Sequence, residues 1–491
     1  MRLTWHDYRY YPYERELARR EIAGLFANPR LAEAHNGVEL HADPDHRLVD
    51  RLTYFSKAVN GTCTLHTAQS RLEGAVRRGK SRQATRYSVH GMHEYKGKFN
   101  PQVVRAMLNI FNVGQDQTVL DPFCGSGTTL VECSHIGAKS CGVDLNPFAV
   151  FLTNAKLLAL SFPASRLMNI LKELELAIAS TTGDEAPDDD NERCRYLRSW
   201  FSHEVLSSIE TVRRLTERVA GDVSPVFLSI ASNLLRDYSL QDPKDLRIRR
   251  RRSPLPETSF EDTFIAGARE CIDRIGATQE ILGMRPRLGQ ACLSDAASLD
   301  LTETYDAAIT SPPYAMALPY IDTQRLSLVW LDLAKPRDIS GLEAELIGSR
   351  EMRGSPRRSL ADALTDNHSG LPDAQAGFCV QLQDMVGRED GFRRQAVPVL
   401  LYRYFASMMR SFRAVRGTMR PRAPFALIVG HNHTVLDGVR RDIDTPAHLA
   451  GLASHSGWLV EESVPLQTYR RYGYHMNNAV GAETLLVLRK P

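Results

Sequence analysis

Apolar residues recur along this chain with more than one period, and the switches between periods mark its elements. After Asn100 and Pro101, an N-cap residue followed by a proline suited to the first helical position, Val104, Leu108 and Phe111 fall on one helical face. A short apolar run from Gln117 to Leu120 follows, then the glycine-rich turn DPFCGSGTT, a helical stretch from about Thr128 to Ile136, and a second apolar run, SCGVDLN, that closes at Asp144. Strand, helix and strand in that order form a parallel unit.

From about 156 to 290 the period is helical (LMNILKELELAIA, WFSHEVLSSIETVRRLTERVA, VFLSIASNLLRDY), broken by acidic GDEAPDDDNE and followed by basic DLRIRRRRSPLPE. Strand-like runs return at RLGQACLSDAASLD and YDAAITSPPY. A helix over 396–415, a strand in PFALIVGHN and a helix from Thr445 come next, and GWLVEESVPL with ETLLVLRK suits an antiparallel hairpin at a sheet edge. The expected organisation is therefore an accessory stretch over 1–85, with one helix over Glu14 to Phe26 and otherwise irregular basic sequence, and core over 86–155. A helical insertion over 156–290, core over 291–335, a loop-rich insertion over 336–395 and core over 396–491 complete it.

At 491 residues the chain exceeds one ordinary core, which agrees with a sheet interrupted by insertions. A net charge of +3 is too small to mark nucleic-acid binding, because polyanions are recognised by clustered Lys and Arg. Clusters do occur at 245–254, at 71–86 and, more weakly, in PRRS near 356. The eight cysteines are scattered with no C-x-x-C pair, so neither a zinc site nor a disulfide framework is expected, and a reducing cytoplasm fits. His90/His93 and the GHNH of 430–433 lack the usual company of metal ligands, so no metal is expected. The charged amino terminus is unlike a signal peptide, and no run has the length of a membrane span.

The glycine turn is not a P-loop, for no Lys-Ser/Thr follows its second glycine. Asp121 sits at the strand tip, where its carboxylate would repel a pyrophosphate at the helix N-terminus. That disfavours a nicotinamide dehydrogenase and favours a cationic cofactor: S-adenosylmethionine carries an ammonium and a sulfonium, and its one carboxylate suits the helix start after Gly127. Asp144, at the next strand tip, is placed to accept both ribose hydroxyls, and Asp295, at the third, an adenine amino group. In SPPY, two prolines after a buried strand remove both backbone donors, leaving carbonyls and the Ser311 hydroxyl as acceptors for a substrate that donates. Tyr314 adds a ring on which a base could stack, worth roughly 1–3 kcal/mol.

Taken together, DPFCGSGTT, GVDLNP, an acid in a third strand loop and SPPY resemble the DNA amino-methyltransferases, the cytosine-N4 and adenine-N6 enzymes, over roughly 90–155 and 290–490. The resemblance implies a Rossmann-like, doubly wound α/β methyltransferase sheet of seven strands with an antiparallel edge hairpin and an inserted helical subdomain. It implies cofactor contacts at Asp121, Pro122, Phe123, Gly125, Ser126, Gly127, Thr128, Asp144, Leu145, Asn146, Asp295 and Ala296. HEYKGKFNP resembles the segment that closes over the methionine end, with Lys98 and Phe99 as contacts. Ser311, Pro312, Pro313 and Tyr314 become the catalytic set. Ser in the first catalytic position leans toward cytosine N4 in double-stranded DNA, with base flipping, and toward a restriction nuclease or other defence component as partner. The alternatives are an adenine-N6 enzyme, an RNA guanine-N2 methyltransferase, and a non-catalytic DNA-binding subunit of the same fold.

Overall fold

The computed structural model describes residues 1–42, 45–75, 83–181, 190–243, 245, 248–316, 321–351, 357–467 and 482–491. Seven strands make the main sheet: β1 (Thr118–Asp121), β2 (Lys139–Asp144), β3 (Gly289–Leu293), β4 (Ala307–Thr310), β5 (Pro424–Gly430), β6 (Leu459–Gln467) and β7 (Ala482–Arg489). Their order across the sheet is β6-β7-β5-β4-β1-β2-β3. The first five run parallel, and β7 pairs antiparallel with both β5 and β6. This is the doubly wound seven-stranded sheet with an antiparallel edge hairpin that the resemblance implies.

Burial explains the place of each hairpin strand. β7 is a near-continuous apolar run, with Leu485, Leu486, Val487 and Leu488 all buried, as an interior strand requires. β6 carries Glu461, Glu462 and Pro465 and is mostly exposed, as suits an edge. β7 is therefore the inner strand of the pair, and only β6 lies at the margin. Because the chain winds one way from β1 to β2 and the other way to β4, the carboxyl ends of β1 and β4 open on a common crevice.

Helices flank the sheet. α1 (Pro101–Ile110) begins as expected, with Asn100 Oδ1 accepting the Gln102 N–H at 2.8 Å. α2 (Thr128–Ile136) links β1 to β2, and α3 (Pro147–Ser161) follows β2. Between α3 and β3 stand Ala164–Ala179, Glu192–Trp200, His203–Ala220, Ser224–Tyr238 and Phe260–Leu282. Their apolar stripes (Leu167 and Leu171, Ile209 and Val212, Phe264 and Ile272) meet Phe148, Leu152 and Ala155 of α3 in one core. Among the described residues no single helix is long and apolar enough to cross a membrane.

Two stretches are more ordered than their sequence suggests. The amino-terminal segment holds its helix at Pro12–Leu25 but also a five-stranded antiparallel sheet, in the order Arg30–Ala34, Gly37–His41, Arg2–Trp5, Phe55–Asn60, Cys63–His66. Strands of four to six residues are too short to show a period. The loop-rich insertion contains helices Ile339–Glu345, Arg357–Thr365 and Asp373–Asp384. Leu364, Cys379 and Leu382 anchor the last two against the helix Val397–Thr418.

Beneath the first helices lies a buried polar knot. Glu132 on α2 accepts from Arg105 Nε at 2.8 Å and Tyr87 OH at 2.8 Å, and His90 Nε2 lies 2.7 Å away. Burial alone would raise the Glu132 carboxyl, yet Arg105 and His135 hold it well below the usual carboxylate range. The donor atoms of His90, Glu132 and His135 fall within 4.8 Å of one another, a metal-like spacing in which Arg105 already supplies the counter-charge.

Candidate functional site

The glycine turn departs from β1 at Asp121, whose side chain is buried. Its Oδ1 accepts from Thr310 Oγ1 at 2.6 Å and from the Phe123 N–H at 3.1 Å. Oδ2 is buried with no partner among the described residues. Burial pushes the carboxyl up to about 6. Thr310 ends β4, so a side-chain hydrogen bond joins the strand of the glycine turn to the strand of SPPY. That bond brings the two motifs together as the sequence implies.

Asp144 ends β2 and is held by backbone donors: Oδ2 accepts the Gly125 N–H and Oδ1 the Asn146 N–H, both at 2.9 Å. Burial lifts it to about 6 as well. Gly127 caps α2 at φ +77°, and a Cβ there would stand 2.6 Å from Thr153 Cγ2, so this position tolerates no side chain. Cys124 packs on the bare Cα of Gly142 on β2, where an added Cβ would come 2.7 Å from its own. Burial pushes the Cys124 thiol up, so it reads as a filler rather than a nucleophile.

The HEYKGKFNP segment crosses this turn at Tyr95. Tyr95 lies over Gly125, its ring 3.4 Å from where a Cβ would be. Lys98 Nζ donates to the carbonyls of His90 at 3.0 Å and Thr85 at 3.3 Å, and burial pushes it down to about 7. Phe99 packs toward the core beneath α1. A residue passed over in the sequence sits under the turn: Lys156 of α3, fully buried, donates to the Ser126 carbonyl at 2.7 Å. Its only sequence signal was a lysine on the apolar face of a helix.

At the third strand tip Asp295 Oδ1 accepts the Ala297 N–H at 2.8 Å, a turn-forming bond, and Ala296 is buried. The Ser294 N–H donates to the Asp144 carbonyl at 3.1 Å, which keeps this loop beside β2. Leu293, unremarked in the sequence, is 59% exposed at the end of β3. Asn146 caps α3, accepting the Phe148 N–H at 3.0 Å, while its amide donates to Gln324.

In SPPY the Ser311 hydroxyl donates to the Ile428 carbonyl of β5 at 3.2 Å, and Tyr314 OH donates to Glu483 Oε1 at 2.6 Å. The loop beyond is pinned by Arg350 Nε on the Met316 carbonyl at 2.7 Å and by Asn432 on the Ala315 carbonyl. GHNH thus lines the SPPY loop through Asn432, while His431 Nε2 lies 3.0 Å from Thr484 Oγ1 of β7. Pro312 and Pro313 themselves contribute no backbone N–H to this corner.

Basic 245–254 is in part outside the described residues (246 and 247), as are 76–82 of the 71–86 stretch and the start of PRRS. In the remainder Arg251 folds inward onto the carbonyls of Asp237 and Ser239, at 2.6 and 3.0 Å. Arg250 and Arg252 are exposed, and Arg250 lies 5.2 Å from the Trp200 ring.

The family described as UPF0020, RMKL-like, methyltransferase domain, matches residues 60–243. Type II methyltransferase M.MjaII of Methanocaldococcus jannaschii is 51% identical over 70 residues, 14% of this chain and 13% of that one. Type II methyltransferase M.MvaI of Kocuria varians is 21% identical over 385 residues, 73% of this chain and 80% of that one. A tRNA (guanine(10)-N2)-dimethyltransferase of Methanocaldococcus jannaschii is 44% identical over 52 residues, 11% and 15% of the two chains. The unpaired Oδ2 of Asp121, the carboxylate at the second strand tip and the helix start at Gly127 fit S-adenosylmethionine. The sheet and cleft are those that the resemblance implies, and the proteins this chain is similar to are methyltransferases, the first of them matched over 13% of its own length.

Proposed function

We propose that this chain methylates the exocyclic N4 amino group of cytosine in double-stranded DNA. One observation carries the reading. The Ser311 hydroxyl gives its hydrogen to the Ile428 carbonyl, so only its lone pairs remain for a substrate, and the two prolines after it have no N–H to offer. A hydroxyl oxygen with free lone pairs followed by two residues without N–H suits an amino group, and accepting hydrogen bonds from it makes the nitrogen a better nucleophile.

Bound S-adenosylmethionine supplies an electrophilic methyl on a sulfonium. Asp144 would accept from its ribose hydroxyls, Asp121 would face its positive charge, and Asp295 and Ala296 would border the adenine. Gly125, Ser126, Gly127 and Thr128 form the floor, with Pro122, Phe123, Leu145 and Asn146 around them. Lys98 and Phe99 support the segment whose Tyr95 covers the turn. Tyr314 stacks on the flipped base while Ser311 and the Pro312 carbonyl hold its amino group in line for direct transfer. No covalent intermediate is required, which agrees with the inert setting of Cys124. The type II methyltransferase relatives favour DNA as acceptor. The 52-residue likeness to a tRNA guanine-N2 enzyme supports a second reading, an RNA acceptor.

The test is methylation of DNA and of tRNA in parallel, followed by digestion to nucleosides and mass analysis. N4-methylcytosine from DNA is expected, and Ser311→Ala should abolish it while S-adenosylmethionine still binds. N6-methyladenine would reassign the base, and a methylated guanine from tRNA alone would reassign the acceptor. Label in neither would leave a non-catalytic subunit.

A further inference from the structure

β7 runs against the five parallel strands, so its beginning, not its end, lies at the cleft. Register fixes this: Glu483 is opposite Gly430 and Thr484 opposite Val429, at the carboxyl end of β5. Both residues engage the cleft wall, Glu483 through the Tyr314 hydroxyl at 2.6 Å and Thr484 through His431 at 3.0 Å. Glu483 is partly exposed and has no ion pair among the described residues. A carboxylate at the head of a strand whose centre, Leu485 to Leu488, is apolar adds nothing to packing. What it adds is an anionic acceptor, which makes a shorter and stronger hydrogen bond with a phenol than a neutral group does.

We infer that Glu483 is a positioning residue for the methyl-transfer reaction, holding the Tyr314 ring as a preformed plane for the incoming base. The inference rests on the reading that Tyr314 stacks on that base. Its cause is economy of ordering: a tyrosine free to rotate must be fixed when the base arrives, and a ring already fixed by Glu483 leaves that cost out of the reaction. Neither residue's motif contains the other, since 169 positions separate them.

Two arms test it. In the first, Glu483→Ala, Tyr314→Phe and the double variant are compared by steady-state methylation. Each single change should lower kcat/KM for nucleic acid roughly tenfold, with S-adenosylmethionine affinity unchanged. The double variant should be no worse than either single one, because both remove the same contact. Glu483→Gln, whose amide oxygen still accepts, should recover most of the loss. Additive losses, or full activity in Glu483→Ala, would overturn the proposal. In the second arm 3-fluorotyrosine is placed at position 314 and its fluorine resonance is recorded in the ligand-free protein. A shift on Glu483→Ala is expected, and an unmoved signal refutes the contact. This arm decides even if the wild type methylates no nucleic acid tested, an outcome that would defeat the proposed reaction instead.

Discussion

Asp121 and Asp144 end neighbouring strands, and burial lifts both carboxyls from 3.8 to about 6. In the ligand-free fold they take up protons more readily than in the unfolded chain. Their contribution to stability is therefore full below the ordinary value and is lost as pH rises through about 6. A cationic ligand with ribose hydroxyls to donate has the opposite requirement, because it needs both groups ionised. Affinity for S-adenosylmethionine is accordingly expected to fall as pH drops below about 6 and to level off above it. Asp144→Asn should weaken binding roughly a hundredfold, for the loss of charge-assisted hydrogen bonds. Calorimetric titration across this range checks both statements, and an affinity indifferent to pH would refute them. At this scale much of the site was legible in the sequence, since DPFCGSGTT and SPPY each concentrate their chemistry within a few residues. The Thr310–Asp121 and Tyr314–Glu483 bonds were not, because each joins residues far apart in the chain.

At the scale of elements, α1 and α2 are joined by the ion pair between Arg105 and Glu132, both almost wholly buried. Removing one member of such a pair leaves the other charge uncompensated, at about 3–5 kcal/mol. Glu132→Gln is expected to lower unfolding free energy by that order, read as a shift in the denaturant midpoint. An unmoved midpoint would mean that the knot contributes no stability. Helices α1 and α2 were legible because asparagine, proline and glycine mark their starts, whereas α3 was not, for it runs into the helical pattern that begins at about 156. The amino-terminal sheet was not, for Leu3, Trp5, Val38 and Leu40 are divided among strands too brief to alternate visibly. The helices within 336–395 were hidden by composition: the stretch as a whole is rich in Arg, Asp, Gly and Ser, and one apolar residue per turn is enough to dock them.

For the whole molecule, the helical insertion touches the segment over the glycine turn at Asn233. The Glu94 N–H donates to Asn233 Oδ1 at 2.8 Å, and the next residue, Tyr95, covers the glycine turn. Asn233 stands five residues before the end of the helix Ser224–Tyr238, about 7 Å of rise from the turn that leads to the exposed Arg250 and Arg252. A strip so placed is suited to phosphates flanking the target base. Reversing both charges (Arg250→Glu with Arg252→Glu) is expected to weaken DNA binding and to reduce its salt slope by about two. A slope that does not change would remove the strip from the interface.

The shared core of insertion and sheet also bears on interchangeability. Phe148, Leu152 and Ala155 belong to α3, yet their side chains complete the hydrophobic interior of the helices that follow. The boundary between scaffold and insertion therefore runs lengthwise through a helix rather than across a loop. A graft of this bundle into another enzyme must carry the outer face of α3 with it, and a deletion that spares α3 would leave that face bare to water.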